Sequence, residues 1–119
     1  MRDNRKIGKI GEEMAINFLE CLGFQLMEKN YRSGRGEIDI IAIRRRLLLF
    51  VEVKTHSSHC WYGAPEDKVR WYQQQKIKDT AERYLCNCSW EGQIRFDVIV
   101  VYLDGSQEIK HFPGYFGQL

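Results

Sequence analysis

The sequence predicts an α/β fold: one domain over residues 1–119, with a mixed central β-sheet flanked by helices in the order α-β-β-β-α-β-β. Three observations carry this expectation. Residues 5 to 22 repeat apolar side chains at spacings of three and four, which is the period of an amphipathic helix. Residues 36 to 54, GEIDIIAIRRRLLLFVEVK, form two strongly apolar runs around a turn. A second helical pattern at 66 to 86 then separates those strands from another at 94 to 103, and a helix so placed is the crossover a parallel pairing needs.

Taken in order, the first helix presents Ile7, Ile10, Met14, Ala15, Phe18, Leu19 and Leu22 as one stripe, and Gly23 is a natural stop. Glu13 points away from the stripe. Glu12 lies on its flank near Ala15 and Leu19, so it either reaches inward or snorkels to solvent. A strand at 24 to 31 and the turn RSGRG follow. After the acidic hairpin and the loop SSHCWYGAPEDK, the second helix has the stripe Val69, Tyr72, Lys76, Ile77, Thr80, Ala81 and Tyr84, with Gln73 inside it. The strand IRFDVIVVYL, a turn at Asp104-Gly105 and a short strand near 107 to 112 complete the chain, and Pro65 and Pro113 read as boundary positions.

Composition narrows the function classes. At 44% hydrophobic and 13% aromatic the chain has the content of a folded protein rather than a disordered one. No run approaches the roughly 18 to 20 apolar residues of a membrane span, and MRDNRKIGKIGEEMA has charge without the apolar core of a secretory signal. A cytoplasmic location with no membrane partner is the expectation. The net charge of +2 does not by itself announce a nucleic-acid binder. Basic clusters at Arg2, Arg5, Lys6 and Lys9, at Arg32 and Arg35, and at Arg44-Arg45-Arg46 are solvated surface or phosphate contacts. Cys21, Cys60, Cys86 and Cys88, with His56 and His59, match no common zinc spacing, so reduced thiols are expected.

Asp39 and Glu52 are the anomaly, since carboxylates within apolar strands cost several kcal/mol unless compensated. Strand alternation puts Glu37, Asp39, Ile41 and Ile43 on one face, and Leu48, Phe50, Glu52 and Lys54 on one face of the next strand. Pairing Ile43 with Leu48 sets Asp39 across from Glu52 and Glu37 across from Lys54. A two-residue loop at Arg45-Arg46 and a four-residue loop at 44 to 47 share this register, and a three-residue loop would offset it. The four-residue loop is favoured, because two-residue hairpin loops prefer residues that accept positive φ. Like charges so placed need a shared proton, a cation such as Lys54, or a divalent metal. A salt network through Lys54 and a hard-metal site with Glu12 as third acid both remain open.

Asp39, twelve residues, then Glu52-Val53-Lys54 resembles the D…(D/E)-x-K core of the restriction-endonuclease-like nuclease superfamily. More of the chain resembles one branch of it, the small bacterial YraN-like family of predicted endonucleases. Those features are G-x-x-G-E-x-x-A at 8 to 15, NYR at 30 to 32, GEIDIIA at 36 to 42, FVEVKT at 50 to 55, Tyr62-Gly63, A-x-x-Y-L at 81 to 85 and RFDV at 95 to 98. The helix Glu ahead of the acidic hairpin is also similar to archaeal Holliday junction resolvases. The resemblance implies a restriction-endonuclease-like fold and a metal-dependent endonuclease, hydrolysing phosphodiesters of DNA that include branched or repair intermediates. Asp39 and Glu52 would be ligands of Mg²⁺ or Mn²⁺, Lys54 the catalytic lysine and Glu12 the supporting acid. Glu37 and Gln73 would be accessory, Gln73 standing where the family usually has Lys; the Arg-rich turn and KTHSSH are further departures. Arg32, Arg35, Arg44, Arg45 and Arg46 are candidates for nucleic-acid contacts, and paired cleavage of a branched substrate would require a homodimer. The alternative is a nucleic-acid-binding module that keeps the nuclease fold with little or no turnover.

Overall fold

The computed structural model of the chain describes residues 4–57 and 71–117. The elements are α1 (Asn4–Cys21), β1 (Gln25–Ser33), β2 (Gly36–Arg44), β3 (Leu47–Ser57), α2 (Trp71–Cys86), β4 (Gln93–Leu103) and β5 (Ile109–Phe112), which is the expected order. The strands form one sheet ordered β1-β2-β3-β4-β5. Only β3 and β4 are parallel, and the other three neighbours pair antiparallel. The expected residues 58 to 70, including Tyr62-Gly63, Cys60 and Val69, lie outside the described residues.

Two apolar layers explain why β3 and β4 read as unbroken hydrophobic runs. On one face Ala15 and Leu19 of α1 pack with Ile40, Ala42, Leu49, Val51, Ile99 and Val101. On the other, Ile77 and Ala81 of α2 pack with Ile38, Ile41, Phe50, Phe96, Val98 and Val100. A strand covered on both faces has no solvent side to spend on polar residues. The α1 stripe is narrower than its periodicity suggests, because Ile10 and Leu22 are exposed. Its end is a Schellman stop: Gly23 has φ 91°, its N–H donates to the Glu20 carbonyl, and the Phe24 N–H donates to the Leu19 carbonyl. Leu19 and Phe24 then meet in the core, as this cap requires.

Along β2 strict alternation fails between Ile38 and Ile40, at the point that matters for function. Ile38 belongs to the α2 face and Ile40 to the α1 face, although they are two residues apart. The alternation that puts Glu37, Asp39, Ile41 and Ile43 on one face, and so would leave Ile38, Ile40 and Ala42 on the other, is therefore corrected: the strand rolls over at Asp39. The neighbouring strand rolls with it, since Asn30 has φ 53° between the pairs Lys29↔Ile40 and Tyr31↔Ile38. Asn tolerates this left-handed conformation better than most residues.

The hairpin register holds, with Ile43 opposite Leu48, but the loop is the two-residue one: Arg44 pairs with Leu47 and Arg45 takes φ 56°. A left-handed Arg costs roughly 1–2 kcal/mol. Tertiary bonds on both sides offset it. Arg44 Nη1 donates to the Leu22 carbonyl at 2.6 Å and its guanidinium lies 4.3 Å over the Phe24 ring. Arg46 Nη2 donates to the Glu91 carbonyl at 2.6 Å, and the Arg46 carbonyl accepts the Gln93 N–H at 2.7 Å.

The RFDV stretch forms a closed knot. Asp97 is fully buried and accepts Arg95 Nε at 2.8 Å, Arg95 Nη2 at 2.9 Å and the Gly114 N–H at 3.0 Å, with His111 Nε2 at 2.7 Å. Burial alone would raise its pKa, but these partners hold it below the usual carboxylate range. The knot ties β5 and the following turn to β4.

Two stability predictions follow from these contacts. Asp97→Ala should lower stability by about 2–4 kcal/mol, less than for a wholly buried pair because Arg95 reaches solvent. A urea midpoint within experimental error of the parent's would refute the knot's importance. At Gly11 of α1, a Cβ would overlap the Thr55 side chain on β3, coming within 3.0 Å of both its Cβ and Cγ2. Gly11→Ala should cost about 1–3 kcal/mol by overpacking, with partial recovery in Gly11→Ala/Thr55→Ala, read by thermal unfolding.

Candidate active site

The site begins where two strands separate. The β2–β3 ladder runs from Arg44↔Leu47 to Ile40↔Val51 and stops there. At the next position the Val53 N–H donates to Asp39 Oδ2 at 2.8 Å, so a side chain takes the place of a strand partner. Satisfying that buried N–H lets the strands part without an orphaned donor. The parted strands and the first half of α1 line a cleft of about 370 Å³, including Gly8, Glu12, Asp39, Glu52, Val53 and Lys54, with Thr55, His56 and Ser57 further along β3.

Asp39, Glu52, Lys54 and Glu12 therefore share one cavity. Lys54 Nζ lies 3.8 Å from Glu52 Oε1, with both side chains largely covered. Asp39 is pushed up to about 8, by burial first and then by the charge and hydrogen bonding of Glu52, against the Val53 N–H that lowers it. Burial also raises Glu52, while Asp39 and Lys54 pull it down. The pair shares a proton near neutral pH, as close carboxylates do. Glu12 is raised by partial burial and by Asp39, and the Asn30 side chain counters this through a hydrogen bond. Glu12 thus faces the acids rather than snorkelling outward, because Gly11 seats α1 directly on Thr55.

Glu37 stays within electrostatic reach of the acids, its charge raising Glu12, Asp39 and Glu52, while the other expected residues lie outside the cleft lining. Glu37 pairs with Arg32 across β1, Nε to Oε2 at 3.4 Å, and not with Lys54 as the extrapolated register required. The parting of the strands is the reason. Gln73 is half-buried in the first described turn of α2 and does not line the cleft among the described residues. Arg35 stands at the β1–β2 turn beside α2. Arg44, Arg45 and Arg46 border a separate hollow at the far end of the hairpin, about 17 Å from Glu52 at 3.3 Å per residue. Arg44 and Arg46 are also occupied with the carbonyls of Leu22 and Glu91. Asn30 and His56 are additions to the site. The signal for Asn30 was a poor strand former between Lys29 and Tyr31; His56, buried against Tyr102, carried none.

Among the described residues, no three His, Cys, Asp or Glu side chains converge closely enough to cage an ion alone. The donor set suits Mg²⁺ or Mn²⁺ better than zinc. Two hard carboxylates with room for water and a phosphate oxygen are what Mg²⁺ takes, whereas no cage of soft ligands forms among the described residues. The described cysteines, Cys21, Cys86 and Cys88, are free and exposed, away from this cleft.

Raised carboxyls leave a signature in stability. The native state holds the Asp39–Glu52 proton between pH about 4 and about 8, where an unfolded carboxyl has lost it. Stability should therefore fall as pH rises through that window. Asp39→Asn should flatten the slope and exceed the parent near pH 8 by about 1 kcal/mol or more. Equal slopes for parent and variant in urea titrations would exclude the buried pair.

The model of the uncharacterised protein family UPF0102 matches residues 11–101. A UPF0102 protein of Cytophaga hutchinsonii is 45% identical over 94 residues, covering 79% of this chain and 82% of its own. One from Alkaliphilus oremlandii is 40% identical over 117 residues, covering 95% and 99%. One from Dictyoglomus turgidum is 40% identical over 111 residues, covering 92% and 93%. With nearly full-length matches at this identity, and a family match spanning helix, hairpin and β4, the chain belongs to the UPF0102 family.

Proposed function

We propose that this protein is a metal-dependent nuclease that hydrolyses phosphodiester bonds, with DNA as its first candidate substrate. The observation that carries the reading is Asp39 and Glu52 brought together at the parting of β2 and β3, in an open cleft, with Lys54 beside them. A structural salt network would instead close the acids off, as the Asp97 knot is closed. Asp97 has four bonds from three partners and a lowered pKa, whereas Asp39 keeps a raised one facing a cavity. A carboxyl perturbed by burial and a charged partner, sitting in a cleft, is a functional-site candidate.

Asp39, Glu52 and the Val53 carbonyl would hold one Mg²⁺ or Mn²⁺. Bound there, the ion would acidify a water and neutralise charge on the phosphoryl oxygens. Asp39 is aimed by the Val53 N–H, so its second oxygen is the one left for the cleft. Lys54, held 3.8 Å from Glu52, is positioned to orient the attacking water or to meet a phosphate oxygen. Glu12 adds negative charge from the helix side and raises the cleft's demand for a cation. As water adds to phosphorus, one ester P–O bond breaks and the leaving oxygen takes a proton.

The alternative, a nucleic-acid-binding module with little turnover, keeps the same cleft and differs only in rate. Duplex, single-stranded, flapped and four-way DNAs incubated with Mn²⁺ or Mg²⁺ decide between them. Cleavage should vanish with EDTA and fall about 10²–10³-fold in Lys54→Ala. Activity equal in parent and Lys54→Ala would defeat the catalytic reading. Independently of turnover, Mn²⁺ should raise the melting temperature of the parent and not of Asp39→Asn, more at pH 8 than at pH 6, because the ion displaces the shared proton. No shift at either pH would remove the metal.

A further inference from the structure

A second concave surface lies at the same end of the sheet, on its α2 face, opposite the α1 face that carries the acidic cleft. It is a notch of about 310 Å³ between the β1–β2 turn and α2, lined by Gly34, Arg35, Gly36, Lys76, Asp79 and Arg83. Three cations face one carboxylate there. Arg83 is pre-organised: Nε donates to Ser33 Oγ at 3.0 Å, and Nη2 to the Ser33 carbonyl at 3.0 Å and Thr80 Oγ1 at 3.4 Å. Arg83 Nη1 takes part in none of these bonds. A guanidinium held in place loses little entropy when it meets a planar or tetrahedral anion.

Backbone packing gives the notch its shape. Gly36 touches α2 so closely that a Cβ would overlap Thr80 Oγ1 and lie 3.4 Å from the Lys76 carbonyl. Gly34, at φ 61°, turns the chain over the Arg83 guanidinium, to which a Cβ would come within 3.5 Å. Asp79 sits on the helix between Lys76 and Arg83 and offsets one charge, which leaves the wall net positive. Arg35 and Lys76 are both exposed at its rim.

We propose that this notch binds a backbone phosphate of the same nucleic-acid strand that enters the acidic cleft. The inference rests on the nuclease reading for its ligand class and on the notch for its position. Gly36 and Asp39 are three residues apart on β2, about 10 Å along the strand, so a nucleic-acid strand rounding this end of the sheet passes from the α1-side cleft to the α2-side notch within a few nucleotide steps. The acidic cleft repels a polyanion, and a neighbouring cationic anchor supplies the attraction that it lacks. The contact positions the strand and reads no bases.

The test is equilibrium binding of a fluorescent duplex to the full chain in EDTA, over a range of salt concentrations, so that cleavage plays no part. Arg35→Ala/Lys76→Ala should reduce the slope of log affinity against log salt by about 1, for one phosphate contact, and weaken binding about 10-fold at low salt. Lys78→Ala/Lys110→Ala, which removes two charges elsewhere, should leave the slope at the parent's value. A parent that binds with the same slope in Arg35→Ala/Lys76→Ala overturns the notch and leaves the nuclease reading standing. Equal slope losses in both double variants also overturn it, by showing a general charge effect. A parent that binds through the notch but cleaves nothing with Mn²⁺ supports the notch and defeats the nuclease reading. A parent that does not bind defeats the notch outright.

Discussion

The hydrogen bond from the Val53 N–H to the Asp39 carboxylate is the constraint on which the rest of the site depends. Up to Ile40 and Val51 the hairpin is an ordinary antiparallel ladder. Beyond it, ending the ladder would strand a buried N–H, and continuing it would shut the cleft. A carboxylate inserted at this level does neither. It satisfies the donor, holds the strands apart and fixes the Asp39 side chain against a cavity. Glu52 and Lys54 then lie on a strand that is no longer paired on that side, which is why Glu37 turns to Arg32 instead.

Two carboxylates on the strands that flank β3, Asp39 on β2 and Asp97 on β4, show how context assigns roles to the same chemical group. Asp97 is surrounded by Arg95, His111 and the Gly114 N–H, and every interaction favours its charged form. Asp39 has one donor, a neighbouring carboxylate and a cleft, so its charged form is disfavoured. The first is an ionic fastening for the C-terminal turn. The second is a carboxyl whose charged form is left uncompensated beside a cavity, and that contrast sets the two acids apart more cleanly than the residue type does.

The basic residues divide by place in the same way. At the hairpin tip Arg44 and Arg46 spend hydrogen bonds on the carbonyls of Leu22 and Glu91, which allows Arg45 its left-handed backbone. At the other end Arg83 spends hydrogen bonds on Ser33, which fixes one wall of a cationic notch near the acids. A run of three arginines in sequence is thus a folding device, and three cations gathered from a turn and a helix make the surface of positive charge beside the cleft.

What the sequence by itself determined was the element order, the mixed sheet and the register that sets Asp39 level with Glu52. These follow from periodicity and from the parity of strand alternation, which are local properties. Glu12 was legible as far as its flank position on α1; its approach to the acids needed the close seat of Gly11 on Thr55. Only the tertiary structure decided the two-residue turn, because its strained Arg45 is held by partners 22 and 45 residues away from Arg44 and Arg46. Only it revealed the roll at Asn30 and Asp39, since a break in alternation appears when both faces are covered and each side chain must choose a layer. The notch was invisible for the same reason: Arg35 and Arg83 meet across a long stretch of chain, and no local pattern records a contact that α2 creates by packing on β2.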